Sequence, residues 1–340
     1  MKQGHVWVGI GISSLLVVYL FSRVDYRQLW ISMVSADMVL LGCAGAALAA
    51  TFAIRSWRWR YLLRPLKRVG FSSLMAATSI GLMANMIFPF RLGEIVRAVV
   101  LGHKERLDGS ASFATVVVDR LLDGFTVLLI LAILLLVAPL PLDHEWESRL
   151  RWGGFLFFAL YLGVFALLFA LLRSQEKVLG GIQRISWGLP AGWVDKFCRF
   201  LASFSGGLHT LERTEDTGQI IVTSLMLWGL IGIYNFLVVS AFHLKLPLTV
   251  GFLLLVVQAI AVMVPSSPGF VGTYHAATVA CLSLWGVNAE EALSVAVVMH
   301  AINFLLAIGM GLSYLWSVKL SLRDFTRPKL ASPPSSSAPT

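Results

Sequence analysis

Arg91, Glu94 and Arg97 follow one another at steps of three, so a helix would carry all three on one face with Glu94 in reach of either arginine. The glutamate needs one arginine at most, which leaves a cation able to hold an anion. The alternative is a short arm at an interface, with its charges solvated. A second group, Asp119, Arg120 and Asp123, puts the two acids on one face at i, i+4 and lets Arg120 reach Asp123 at i+3. Two acids against one base leave a carboxylate over, a proton carrier if it is buried; a static ion network that holds helices together is the plainer alternative. A third group is polar and nearly uncharged: Ser266, Ser267, Thr273, Tyr274 and His275 lie beside Gly269 and Gly272, where backbone can approach a ligand closely. His275 on its own reads equally as a hydrogen-bonded packing residue. No phosphate loop, nucleophile elbow or metal-ligand spacing occurs in a fitting context, so neither a metal nor a cofactor is expected. Cys43, Cys198 and Cys281 are odd in number and far apart, and read as packing residues.

The elements that must position these groups are apolar. With 57% apolar and 13% charged residues, a soluble chain could not cover its core. The net charge of +9 sits in short loops between apolar runs, where bases set orientation and attract anionic lipid, so nucleic acid is not the expected partner. Runs at 6–22, 38–54, 111–137, 152–172, 219–242 and 289–318 each come near the ~20 residues a spanning helix needs. The first has no small-residue cleavage site after it and reads as an uncleaved helix. Two more apolar segments, 71–88 and 248–264, run into a proline–glycine step and continue as second arms, 91–102 and 270–285. Pro89 and Gly93 of the first step recur as Pro268 and Gly272 of the second, each displaced by 179 positions. Broken apolar segments at matching places in two halves point to a binding site between inverted repeats, here about 38–137 and 219–318.

Orientation follows from the bases near helix ends. Arg55, Arg58, Arg60, Arg64, Lys67 and Arg68 follow the second span with no acid among them, which marks that segment as cytoplasmic and the N-terminus as inside. Treating 71–102 as a hairpin that enters and leaves on the cytoplasmic side puts the acidic 143–147 stretch outside and the basic tail after 318 inside. The second hairpin then enters from the outer side. Residues 173–218 read as interfacial helices and 331–340 as a disordered tail, so 1–330 form a single membrane domain.

Pro89-Phe-Arg-Leu-Gly-Glu-Ile-Val-Arg97, Asp119-Arg-Leu-Leu-Asp123 and Pro268-Gly-Phe-Val-Gly272 resemble, in order, three signatures of the flippase-like family, also called the lysylphosphatidylglycerol synthase transmembrane region family. The resemblance covers roughly 5–320. It implies a bacterial or archaeal inner-membrane protein related to the module that moves aminoacylated phosphatidylglycerol between leaflets. It also implies site positions at Arg91, Gly93, Glu94, Arg97, Arg120, Asp123, Pro268, Gly269 and Gly272. Two departures stand out: family members often carry a glutamate where this chain has His275, and the residues after 318 leave no room for a soluble aminoacyl transferase domain.

The expectation is therefore an all-α, polytopic membrane protein of about six spanning helices and two oppositely oriented broken-helix hairpins, with both termini cytoplasmic. Its partner is a membrane lipid with an anionic or phosphate-bearing head group, held by Arg91, Glu94, Arg97, Asp119, Arg120, Asp123 and His275 and translocated past the hairpin backbone at Pro89, Gly93, Pro268, Gly269 and Gly272. The first alternative is a non-transporting accessory subunit, whose partner would be a lipid-modifying enzyme such as a lipid or glycolipid synthase. The second, an intramembrane enzyme with Asp119 and Asp123 as acid and base, lacks a nucleophile or metal, and no enzyme activity is expected.

Overall fold

The computed structural model describes residues 4–22, 24–137, 216–264 and 266–318, with isolated positions between 148 and 166. Every regular element described is helical. They are α1 (Gly4–Phe21), α2 (Tyr26–Val34), α3 (Met38–Leu63), α4 (Phe71–Ile87), α5 (Gly93–Glu105), α6 (Gly109–Val137), α7 (Thr217–Ala241), α8 (Thr249–Ala261), α9 (Thr273–Ser283) and α10 (Ala289–Val318). Most of the expected span at 152–172 and the segment 173–215 lie outside the described residues.

α3, α6, α7 and α10 are long and apolar enough to cross a membrane; at 1.5 Å per residue the shortest of them, α7 with 25 residues, extends ~37 Å, against a hydrocarbon layer of ~30 Å. Together with the shorter apolar helices they make a polytopic helical membrane protein. α5, α8 and α9, with 13, 13 and 11 residues, fall short of the ~20 that a crossing takes. Polar residues fix the helix starts: the Asp37 carboxylate accepts from the N–H groups of Val39 (2.8 Å) and Leu40 (3.2 Å) at the head of α3. Asp25 does the same for α2 through Arg27 N–H, at 2.8 Å.

α3–α6 and α7–α10 are two sets of four helices whose members begin 178 to 180 residues apart. The main helix–helix contacts between the sets survive their exchange. α3 packs on its own counterpart α7; α4 lies on α10 as α8 lies on α6. In each set a short 3-10 turn joins the second helix to the third, Pro89–Arg91 in one and Pro268–Phe270 in the other, and the two turns touch. The last residue of each turn, Arg91 (φ 53°) and Phe270 (φ 61°), is left-handed, at a cost of ~1–2 kcal/mol for a residue with a Cβ. Tertiary packing holds both in the same strained state.

The two turns are seated differently. A Cβ on Gly93 would run into the Gly81 carbonyl and the Asn85 side chain, so glycine there lets α5 fold back flat on α4. Gly272 (φ 92°) faces α1, where a Cβ would lie 2.7 Å from the Ser13 carbonyl; the Ser13 hydroxyl in turn accepts from Ser267 N–H at 2.8 Å. Among the described residues, apolar side chains close the core in two large clusters, one around Leu74, Ile80 and Leu101 between α3, α4 and α5, the other around Val238, Leu254 and Met299 between α7, α8 and α10, with a small third at Phe52, Met75 and Ala307.

Candidate functional site

The second span was expected to end at 54, with the arginines beyond it in a cytoplasmic loop. Instead α3 runs on to Leu63 and buries Arg55 and Arg58, because α6 supplies carboxylates to meet them. Arg58 Nε donates to Asp119 Oδ1 at 2.9 Å, Nη2 to Asp123 Oδ1 at 2.6 Å and Nη1 to Ser224 Oγ on α7 at 3.1 Å. Arg55 Nη1 reaches Asp123 Oδ2 at 3.1 Å. Four bases of the stretch, Arg60, Arg64, Lys67 and Arg68, remain exposed.

Arg97 on α5 points into the same network. Its Nη1 donates to Asp119 Oδ2 at 2.7 Å, and its guanidinium lies 3.8 Å over the Trp59 ring, a desolvated cation–π stack. Trp59 is itself held by its indole N–H, which donates to Thr115 Oγ1 at 2.9 Å. Arg120 joins all three acids, at 3.0 Å from Asp119 Oδ2, 3.0 Å from Asp123 Oδ2 and 3.5 Å from Glu94 Oε1. The Trp228 indole on α7 donates to Asp123 Oδ1 at 3.0 Å. Asn85 on α4 completes the edge: its Oδ1 accepts Gly93 N–H at 2.8 Å while its Nδ2 lies 3.4 Å from Glu94.

One pairing offered by spacing, Glu94 with Arg97, is replaced. Glu94 meets Arg120, while Arg97 turns toward Asp119. The count of two acids against one base fails as well: arginines from α3, α5 and α6 converge on the α6 aspartates, and no carboxylate is left over as a proton carrier or as an acid–base pair.

Among the described residues the cluster holds four guanidiniums, Arg55, Arg58, Arg97 and Arg120, against three carboxylates, Glu94, Asp119 and Asp123. It therefore carries one positive charge in excess. Arg97 Nε and Nη2 and Arg120 Nε are buried without a hydrogen-bond acceptor. Buried N–H donors almost always find one, and in a cationic cluster an anion is the acceptor that meets both the charge and the donors. The network is closed at Arg58 and Asp119, whose side chains have no exposed surface, and opens at Arg120 and Glu94, 24% and 17% exposed. Arg91 sits half-buried in the adjoining turn.

His275 is not brought into this cluster. It opens α9 beside the second turn, where its Nδ1 accepts Gly272 N–H at 3.4 Å. Its ring stands against His300 of α10, 4.8 Å between centroids. Sequence reasoning did not place Arg55, Arg58, Trp59, Asn85 or Trp228 in the site. The arginines carried a signal, a step of three that continues the helical period of α3, and Asn85 carried a weaker one as an amide inside an apolar run.

The model of the lysylphosphatidylglycerol synthase transmembrane region matches residues 6–311. The chain is 26% identical over 354 residues to glycosyltransferase AglD of Haloferax volcanii, covering 94% of this chain and 55% of that protein. It therefore spans about half the length of that relative. It is also 24% identical over 328 residues to a UPF0104 membrane protein of Methanothermobacter thermautotrophicus, covering 92% and 94% of the two chains. No solved structure matches the chain.

Proposed function

Because the chain belongs to the lysylphosphatidylglycerol synthase transmembrane region family, we propose that it binds a lipid with an anionic or phosphate-bearing head group and carries it between the leaflets of the cell membrane. One observation carries the reading: the surplus guanidinium charge of the α3–α5–α6 cluster, with donors on Arg97 and Arg120 that lack acceptors. Ionisable groups at membrane depth face a cavity or one another, and here they meet one another and reach the surface at Arg120 and Glu94. A cluster meant only to hold helices together would balance its charges and fill its donors.

Movement follows from the arrangement of the two four-helix sets. We read them as inverted repeats whose turns meet at the membrane midplane, each set gating access from one side. The arms of 11 to 17 residues suit hairpins that enter and leave on the same side. The second reading, an accessory subunit that holds lipid for a synthase, is favoured by the relative named as a glycosyltransferase. No catalytic role for this chain is part of either reading.

Arg97→Ala removes the stacked guanidinium and its donors. The purified variant should retain several-fold less co-purifying anionic lipid by native mass spectrometry, and Glu94→Gln should lose less, since it removes only an orienting partner of Arg120. Lipid retention equal to the unmutated protein in both variants would reduce the cluster to a structural brace.

A further inference from the structure

The two four-helix sets bring different chemistry to one centre. At the displacement of 179, Glu94, Arg97, Asp119, Arg120 and Asp123 correspond to Thr273, Ala276, Val298, Met299 and Ile302, so the second set does not repeat the charged cluster at these positions. It has the His275–His300 pair instead, facing positions that are Val96 and Leu121 in the first set.

Hydrogen bonding fixes how each ring carries its proton. His275 Nδ1 accepts Gly272 N–H, so its neutral ring carries the proton on Nε2. His300 Nε2 lies 2.8 Å from the Gly269 carbonyl oxygen, an acceptor only, so that nitrogen donates and Nδ1 is left as an acceptor. Among the described residues nothing meets His275 Nε2 or His300 Nδ1, and neither nitrogen is one of the sealed polar atoms without a partner, so both are open to a ligand. Two touching rings thus present one N–H donor and one bare acceptor, neither of them sealed inside the protein. A hydroxyl group both donates and accepts, and satisfies the two together; a phosphate diester oxygen only accepts. Tyr274 and Phe304 stand beside His300, with centroids at 5.5 and 6.3 Å.

The pair adjoins the arginine cluster by way of the touching turns. Gly269, whose carbonyl takes His300, lies against the Met86 carbonyl, 3.2 Å from where its Cβ would be. The neighbour of Met86 is Asn85, which holds Glu94 and Gly93.

We propose that the His275–His300 pair is a second binding site, which takes a hydroxyl of the lipid head group whose phosphate the arginine cluster holds. The substrate class narrows to phosphodiester lipids with a hydroxyl-bearing head group, such as a glycerol or a sugar. The inference rests on the anion reading above, and the test separates the two. Phosphatidylglycerol and phosphatidylmethanol of the same chains carry the same phosphate charge and differ in the head-group hydroxyls. Titrated into the detergent-solubilised full chain and read by native mass spectrometry, phosphatidylglycerol should bind about tenfold more tightly, the worth of two ordinary hydrogen bonds. His275→Leu should bring that ratio to about one without weakening phosphatidylmethanol, whereas Arg97→Ala should weaken both lipids alike. His275→Asn, which retains an acceptor for Gly272 N–H, serves as the second variant and should lower the ratio likewise. Equal binding of both lipids by the unmutated protein would overturn the hydroxyl site alone, as would a His275 variant that loses both lipids in proportion. Binding of neither lipid would overturn the anion reading, and the hydroxyl site with it.

Discussion

At the scale of the residue, Arg58 is the member of the cluster with most at stake. It is buried without exposed surface and spans Asp119, Asp123 and Ser224, so Arg58→Ala opens a void beside two carboxylates that keep Arg55, Arg97 and Arg120 as their remaining cations. Breaking one partner of a buried pair costs ~3–5 kcal/mol. The exposed pair of Arg64 with Asp216 at 2.5 Å is the natural control, since surface pairs contribute ~0–1 kcal/mol. Thermal unfolding in detergent should show a large fall in midpoint for Arg58→Ala and little change for Arg64→Ala; equal midpoints would mean that the cluster is solvated. Half of this network was legible in the chain. Glu94, Arg97, Asp119, Arg120 and Asp123 announced themselves as charges on helical spacing inside apolar sequence. Arg55 and Arg58 did not, because a base that follows an apolar run reads as a loop charge until the acid that buries it is known. Trp59 and Trp228 gave no signal, since an indole in a membrane helix is ordinary until its partner is seen, and Asn85 read only as a polar residue in an apolar span, suited to an interhelical hydrogen bond.

At the scale of the element, the broken hairpins were the most readable feature. Proline and glycine at a fixed displacement dictate where a helix must stop and where two backbones must approach, and the structure puts the 3-10 turns at those residues. Helix ends were less readable: polar partners carry α3 to Leu63, past the end of its apolar run. The opposed entry of the two hairpins is testable by position. With Cys43, Cys198 and Cys281 replaced, single cysteines at exposed Arg68 and Lys104 flank the first hairpin, and those at Lys245 and Ser283 flank the second. An impermeant thiol reagent applied to intact cells should label 245 and 283 and leave 68 and 104 unlabelled. Labelling of one position from each pair would show that the hairpins cross the membrane, and labelling of all four on one side would remove the inversion.

At the scale of the whole molecule, the two four-helix sets share a frame but not a chemistry. One side of the centre is cationic and the other neutral and polar, with the two turns touching between them. Their equivalence was legible from the displacement of 179, whereas the convergence of three helices on one charged cluster was not, because it depends on contacts far apart in the chain. In an inverted repeat a head group must pass both turns, so a change confined to the second turn should stop passage and spare binding at the first. Gly272→Val is such a change: φ 92° and the Ser13 carbonyl at 2.7 Å from a Cβ exclude a β-branched residue from that backbone. The direct measurement is leaflet exchange of a fluorescent anionic phospholipid in liposomes that contain the purified protein, read by quenching of the outer leaflet. The account predicts exchange well above protein-free liposomes, its loss in Arg97→Ala together with bound lipid, and its loss in Gly272→Val with bound lipid retained. No exchange above protein-free liposomes from an unmutated protein that still holds lipid would contradict it and leave the accessory-subunit reading.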